Sequence, residues 1–318
     1  MNKILCIGEA LIDMICTDKG KSLSDGEHFL KKAGGAPTNV AAAIAALGGN
    51  VEISAKVGKD PFGAHLIEVL KNFGVSTDAI KIDPNHFTTF AFVSLMENGE
   101  RDFYFNRGAD GMLDTEDVKA IDMSSFLISH FGSATAFLPG PLQSTYEFLL
   151  SKAIEHHHFI SFDPNYRELL FGNNKAEFIK RSLNFIQQAN FFKVSDEEAF
   201  LISGKTQLNE AAEYFGKYNN GVFAITLGKD GTLIGIQGET RIIPSIPIKP
   251  VDTTGAGDAF VGAVLYQLSK FNNHEINSLD INQWISIFEN ANKAGARTCE
   301  YMGAMEAFKH LGSDIFNS

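Results

Sequence analysis

Residues 246–268 read Ile-Pro-Ile-Lys-Pro-Val-Asp-Thr-Thr-Gly-Ala-Gly-Asp-Ala-Phe-Val-Gly-Ala-Val-Leu-Tyr-Gln-Leu. A strand-like approach, Ile246–Val251, meets a turn with two glycines, and an apolar helical run follows over Ala259–Leu268. A strand that turns sharply into a helix is the building unit of a parallel α/β sheet. Gly255 and Gly257 let the backbone turn and approach a ligand closely. The N–H groups of Gly255, Ala256 and Gly257 then sit at a helix N-terminus, where they favour an anion. Asp258 stands at the same end. It either caps the helix or accepts the proton of an attacking hydroxyl while the N–H groups stabilise a transferred phosphoryl group. From these residues alone both readings stay open.

Outward from that turn the chain alternates. Strand-like runs are Lys3–Gly8, Val51–Val57, Phe126–Phe131, Phe159–Asp163, Phe191–Val194, Val222–Leu227 and Leu233–Ile236. Helical runs are Thr38–Leu47, ended by Gly48-Gly49, and Phe62–Phe73, closed by Gly74. Further helices are expected over Leu142–Glu155, Lys175–Gln188, Ser195–Ser203 and Asn209–Tyr218. This βαβα order predicts an α/β fold with a mainly parallel sheet covered on both faces. Two segments break the order. Asp13–Lys32 reads as extended chain, and Thr88–Arg107 reads as two strands around a turn at Glu97-Asn98-Gly99-Glu100. Neither fits between a strand and its crossover helix. Together they predict a small antiparallel sheet that could close over a ligand and exclude water. No repeat, low-complexity tract or linker interrupts the 318 residues. We therefore expect one domain, 1–318, with lid segments near 13–35 and 87–110.

The hydrophobic fraction of 44% and charged fraction of 20% are those of a globular chain. No uncharged apolar run of about 18 residues occurs, so no membrane span is expected. Glu9 and Asp13 interrupt the apolar N-terminus, which lacks the basic start and long apolar core of a signal peptide. A cytoplasmic protein is the expectation. Cys6, Cys16 and Cys299 are odd in number and have no CxxC spacing, so reduced thiols are expected. The net charge of -11 argues against nucleic-acid or anionic-membrane partners. It leaves room for a nucleotide whose phosphates meet backbone N–H groups.

The GxxxxGK phosphate loop is absent, and GAGDAFVG lacks the third glycine of the dinucleotide fingerprint. A dehydrogenase reading is disfavoured for that reason. A second glycine turn, Gly34-Gly35-Ala36-Pro37-Thr38-Asn39, precedes a helix. It is either an ordinary turn or a place where backbone N–H groups and the Asn39 amide meet a polyol. Asp13, after an apolar strand, could accept two hydroxyls or lie in a surface loop. His156-His157-His158 gives poor geometry for a shared metal, because adjacent residues do not share a helix face. A solvated helix end is expected there.

GGAPTNVAAAIAALGG at Gly34–Gly49 and DTTGAGDAFVGA at Asp252–Ala263 resemble the paired signatures of the ribokinase, or PfkB, family of carbohydrate kinases. The resemblance runs from GEALID at Gly8–Asp13 to the C-terminal helix. It implies a three-layer α/β/α sandwich with a β-sheet lid, ATP and magnesium as co-substrates, and transfer to a primary alcohol. It further implies that Asp258 is the catalytic base, that Gly255, Ala256 and Gly257 form the anion hole, and that Asp13, Gly34, Gly35 and Asn39 bind sugar. Thr226, Gly228 and Gly231 are similar to the family's nucleotide loop, with Lys193 nearby. Glu198 resembles the glutamate of an Asn-x-x-Glu segment that helps hold the hydrated magnesium through water, although Ser195 replaces the asparagine. Asp252 and Thr254 resemble ligands of a potassium site, and Asn292 falls at the adenine pocket. A homodimer joined through the lid is also implied.

Asp163-Pro164-Asn165-Tyr166-Arg167 follows a strand, so it should sit at the carboxyl edge of the sheet, where ligands bind. With GGAPTN it looks most like bacterial fructokinases, with Arg167 a fixed cation at the phosphate or sugar end and Phe105 and Arg107 covering the sugar from the lid. D-fructose is the expected acceptor. A 2-keto-3-deoxygluconate kinase would use Arg167 on a carboxylate. A ribokinase or nucleoside kinase, or a catalytically silent sugar-binding regulator on the same fold, are the other readings.

Overall fold

Two sheets organise the computed structural model, which describes residues 1–97 and 101–317. In chain order the strands are β1 (Lys3–Ile7), β2 (Leu11–Cys16), β3 (Phe29–Gly34), β4 (Asn50–Gly58), β5 (Ile80–Asp83), β6 (Phe90–Leu95), β7 (Arg101–Asn106), β8 (Phe126–Phe131), β9 (Phe159–Phe162), β10 (Phe191–Ser195), β11 (Val222–Thr226), β12 (Thr232–Ile236) and β13 (Glu239–Ile243). Nine form the larger sheet, in the order β13-β12-β11-β10-β9-β8-β1-β4-β5. It is parallel from β5 to β11, and antiparallel only at β11–β12–β13.

The central strands are apolar on both faces, as parallel strands between two helix layers must be. In β1, Ile4 and Cys6 pack toward one layer and Leu5 and Ile7 toward the other. The first layer includes the helices Ala36–Ala46, Pro61–Phe73, Ala256–Leu268 and Ile281–Cys299. The second includes Pro141–Glu155, Lys175–Gln188, Asp196–Ser203 and Leu208–Tyr218. Residues Ala259–Leu268 are buried all round, which explains a helix with no polar stripe. Local chemistry sets several ends. Asp60 accepts the N–H groups of Phe62 and Gly63, and Gly74 closes the same helix in the left-handed conformation at φ 89°.

The expected strand Ile246–Val251 does not form; the chain from Pro244 to Pro250 stays outside both sheets. Pro244, Pro247 and Pro250 each lack the N–H that a ladder needs. The smaller sheet has the order β3-β2-β6-β7. It is mixed rather than antiparallel, because β2 pairs with β6 in parallel. Both strands leave the main sheet outward and occupy the centre, and the returning strands β3 and β7 flank them antiparallel. Of the expected hairpin turn, residues 98–100 lie outside the described residues. Among the described residues no helix is long and apolar enough to cross a membrane. Cys6, Cys16 and Cys299 are free thiols.

His156 and His157 are exposed at the end of their helix, with His157 at φ 56°. His158 departs from the expected solvated end. It is buried, and its ring bonds the Ser129 hydroxyl and the Met123 carbonyl, at 2.8 Å each.

Candidate active site

The carboxyl ends of β1, β8, β9, β10 and β11 point to one edge, and the helix Ala256–Leu268 starts there. Gly255 enters that helix at φ 82°, and no side chain caps it. Ala256 N–H turns back to the Thr253 carbonyl at 3.2 Å. The cradle therefore differs from the expected trio. At the start of this helix the N–H groups of Gly255, Gly257 and Asp258 have no protein acceptor among the described residues. A Cβ on Gly257 would lie 3.2 Å from Lys193 Nζ, so an ammonium group stands beside the same helix end.

Lys193 comes from β10 and Asp163 from the end of β9, and they pair at 3.1 Å with both side chains buried. Burial opposes the charge of Lys193. The carboxylates of Asp163, Glu198 and Asp258 outweigh it and raise its pKa. Lys193 is therefore a fixed cation.

Asp258 does not cap its helix by a side-chain bond. Its Oδ2 instead accepts from Asn39 Nδ2 at 2.8 Å. Burial raises the Asp258 pKa, while the Asn39 bond and the charges of Lys193 and Arg167 pull it back. Asn39 Oδ1 is buried and has no partner. An acceptor left open beside a carboxylate is the complement of a hydroxyl. Asp13 reaches the same space from β2. Burial pushes its carboxyl up to about 6, against the charge of Arg167. Gly34, paired with Leu11 across the β2–β3 ladder, makes room for it. A Cβ there would fall 2.1 Å from Asp13 Oδ2. Gly35 has a backbone reason of its own, with φ 104° and a would-be Cβ 2.5 Å from the Glu9 carbonyl. Arg167 thus lies within range of both Asp13 and Asp258.

Arg167 is held by the turn after β9. Asn165 adopts φ 47°, a conformation asparagine tolerates. Its N–H bonds Asp163 Oδ1 at 3.2 Å and its amide bonds the Gly132 carbonyl at 2.8 Å. Glu198 stabilises this turn. One oxygen accepts Tyr166 N–H and the other Ser195 N–H, at 2.7 Å each. It is the buried partner of a capping box rather than an open carboxylate.

Other expected site residues fall as follows. Asn292 spends both amide protons on the carbonyls of Ile243 and Pro244 and accepts from Thr232 Oγ1, so it braces β12–β13 instead of presenting a free amide. Thr226 ends β11, and Gly228 follows at φ 57° with nothing near its Cβ position. Gly231 is required by packing, because a Cβ would meet the Ile243 carbonyl at 2.1 Å. Asp252 Oδ1 accepts both the N–H and the hydroxyl of Thr254, and Oδ2 accepts Gly303 N–H. Phe105 of β7 pairs with Ala91 of β6, which pairs with Asp13 of β2, so Phe105 and Asp13 share a face of the smaller sheet. Arg107 departs from its expected place on a lid strand. It lies just beyond β7 and turns back to the carbonyls of Pro139 and Thr135. Asp163 and Glu9 escaped the reading of single residues. The position of Asp163 directly after an apolar strand was a usable signal.

Comparison with known proteins follows this geometry. Residues 1–310 match the family model described as pfkB family carbohydrate kinase. Fructokinase-1 of Zea mays is 33% identical over 306 residues, covering 95% of this chain and 93% of that one. A fructokinase with bound ATP from Xylella fastidiosa superposes with a TM-score of 0.87 at 28% identity, over 99% of this chain and 97% of that one. A double mutant of the Vibrio cholerae O395 fructokinase, in a fructose-, ADP- and potassium-bound form, gives 0.85 at 28% identity over 100% and 97%.

Proposed function

The chain belongs to the pfkB family of carbohydrate kinases, and we propose that it transfers the γ-phosphoryl group of ATP to D-fructose, giving fructose 6-phosphate. The observation that carries this reading is the convergence of Asp258, Asp13 and the open Asn39 Oδ1 beside an uncapped helix N-terminus. Asp13 and Asn39 accept sugar hydroxyls, and Asp258 receives the primary hydroxyl. The sugar oxygen forms a bond to phosphorus as the bond to the ADP oxygen breaks, and the proton passes to Asp258. The N–H groups of Gly255 and Gly257, the helix dipole and Lys193 stabilise the charge on the transferred group. The nucleotide would run from there past Thr226 and Gly228, where open space at Gly228 admits a close approach. The fructose ligand and ATP in the related structures support this assignment.

No group of three or more metal-ligating side chains occurs among the described residues. That fits a magnesium ion bound through ATP phosphates and waters rather than in a protein cage. Glu198, its two oxygens already accepting N–H groups, would meet that ion only through water. We place a potassium ion near Asp252 and Thr254, in line with the potassium-bound relative. The two segments of the smaller sheet act as a lid. Ile15, Leu30 and Leu95 are 39%, 44% and 61% exposed. By register they share the face of Asp13, which suits a homodimer joined through the lids. The cytoplasm, which supplies ATP and keeps thiols reduced, is the proposed location.

The test is ADP release over a panel of sugars and sugar acids. D-fructose should give the highest kcat/KM. A higher value for 2-keto-3-deoxygluconate would reassign Arg167 to a substrate carboxylate. No ADP release with any acceptor would favour a silent binding protein.

A further inference from the structure

The smaller sheet joins the larger through four chain crossings: residues 8–10 before β2, 35–36 after β3, 87–89 before β6 and 107–110 after β7. One buried network touches all four. Glu9 is 1% exposed. It accepts the N–H groups of Ala36 and Ala134 at 3.1 and 3.3 Å, and the hydroxyl of Ser133. Ser133 Oγ accepts the N–H groups of Thr135 and Ala136 at 3.2 and 2.9 Å. Thr135 Oγ1 donates to Asp110 at 2.8 Å, and Asp110 is also 1% exposed. Asp110 takes a second bond from the Thr89 hydroxyl, which itself accepts Gly108 N–H at 2.8 Å. Arg107 Nε stands 3.5 Å from Asp110.

Burying a carboxylate is costly unless donors surround it. Here two such groups sit at the junction of the sheets, and neither is among the groups that act on Asp13 or Asp258. Close packing tightens the same place, since a Cβ on Gly8 would lie 2.5 Å from Ser133 Cβ.

We propose that this network is the hinge of the smaller sheet, and that Asp110 is a positioning residue that sets the angle at which β2 and β7 hold Asp13 and Phe105 over Asp258. The lever is long enough to matter. Asp13 lies four residues beyond Glu9, roughly 13 Å along an extended strand. A rotation of about 5° at the hinge would then move its carboxylate by about 1 Å, which is enough to cost about a hundredfold in rate. Asp110 ties the entry of β6, through Thr89, to the exit of β7, through Gly108 and Arg107. Thr135 then fastens both to the loop after β8.

The kinetic part of this proposal rests on the sugar-kinase reading; the exchange part does not. The variants are Asp110→Asn and Thr135→Val, with Thr135→Ser as the conservative control. Hydrogen exchange of the full-length protein, followed by mass spectrometry, should show residues 11–34 and 90–106 losing protection together in the first two variants. The strands of the larger sheet should stay protected. In the same variants the KM for fructose should rise about tenfold or more, the loss expected when Asp13 is displaced from the sugar hydroxyl it would accept. The affinity for ATP should hold, and Thr135→Ser should restore both readouts. Should Asp110→Asn fail to fold, Thr135→Val carries the test. Unchanged protection of the smaller sheet in a folded variant overturns the hinge. Equal loss of protection across both sheets overturns it too, because that is a general structural role. Absence of any kinase activity in the wild type would count against the proposed function and leave the exchange result to decide the hinge.

Discussion

Asp258→Asn separates chemistry from architecture, and the structure sets the size of each effect. The side chain makes one hydrogen bond, from Asn39 Nδ2 at 2.8 Å. An asparagine oxygen can accept the same bond, and its amide protons can turn toward Asn39 Oδ1, which is buried without a partner. Burial raises the Asp258 pKa, so the fold disfavours the charged form. Removing that charge should leave the melting temperature unchanged or slightly higher. Nucleotide affinity should hold or rise, because a carboxylate near the phosphates is gone. Turnover should behave differently. A positioned general base contributes ~10²–10⁴-fold, and kcat should fall by that much. In a loose transition state the hydroxyl loses its proton late, so orientation is much of what the carboxylate supplies. The assay is kcat by coupled ADP release, beside calorimetric nucleotide affinity and a thermal melt. A folded variant that keeps more than about a third of wild-type kcat would fall outside that range and remove Asp258 from the mechanism.

Other outcomes follow from the same site. The KM for fructose should climb as pH falls through about 6, where Asp13 takes up a proton; an Asp13→Asn enzyme should have a high KM with no such step. Stability should move the opposite way, since a carboxyl with a raised folded pKa stabilises below its ordinary value near 4 and loses that contribution as pH rises toward about 6; thermal melts across this range would show it. Gly34→Ala puts a Cβ 2.1 Å from Asp13 Oδ2, so the carboxylate must swing aside, and the KM for sugar should rise about tenfold with the KM for ATP steady. Exchanging potassium for a large organic cation at fixed ionic strength should slow turnover, and an equal rate would remove the cation site from Asp252 and Thr254.

The legible parts of the fold are those whose causes are local. Strands buried on both faces, such as Phe191–Ser195, announce themselves by apolar content, and Asp60 and Gly74 mark a helix at both ends. The edge strands β5 and β13 carry half-polar sequences, IKID and ETRII, and leave no such mark. Ile246–Val251 misled because extended chain and paired strand look alike until the prolines are asked for donors. The site divides in the same way. The glycine cradle and Asp258 lie within one short motif. Glu198 is explained by Tyr166, 32 residues away, and Asn292 by Thr232, 60 residues away. No periodicity or spacing along the chain encodes those partnerships, so the bracing that both side chains supply was not legible in the sequence.

Charge shows the same limit, and also how the site works. The chain has a net charge of -11, and Asp163, Glu198 and Asp258 all act on Lys193 beside the open helix end, while Asp13 shares Arg167 with Asp258. Read as a sum, that is a poor place for a polyanion. The partners change the sum. Asp163 is matched by Lys193 at 3.1 Å, and Glu198 is occupied by two backbone N–H groups. What remains is Asp258 and Asp13, with Arg167 acting on both. Two carboxylates and a guanidinium are a set for hydroxyl groups. The uncapped helix end beside Lys193 is a set for phosphate. The helix brings these two regions together at one residue. Gly257 leaves its N–H open beside the ammonium, and the very next side chain is the Asp258 carboxylate, the proposed acceptor of the sugar hydroxyl. In the proposed reaction, donor and acceptor substrates meet at the boundary between regions of opposite preference, which is what an in-line transfer between a nucleotide and an alcohol requires.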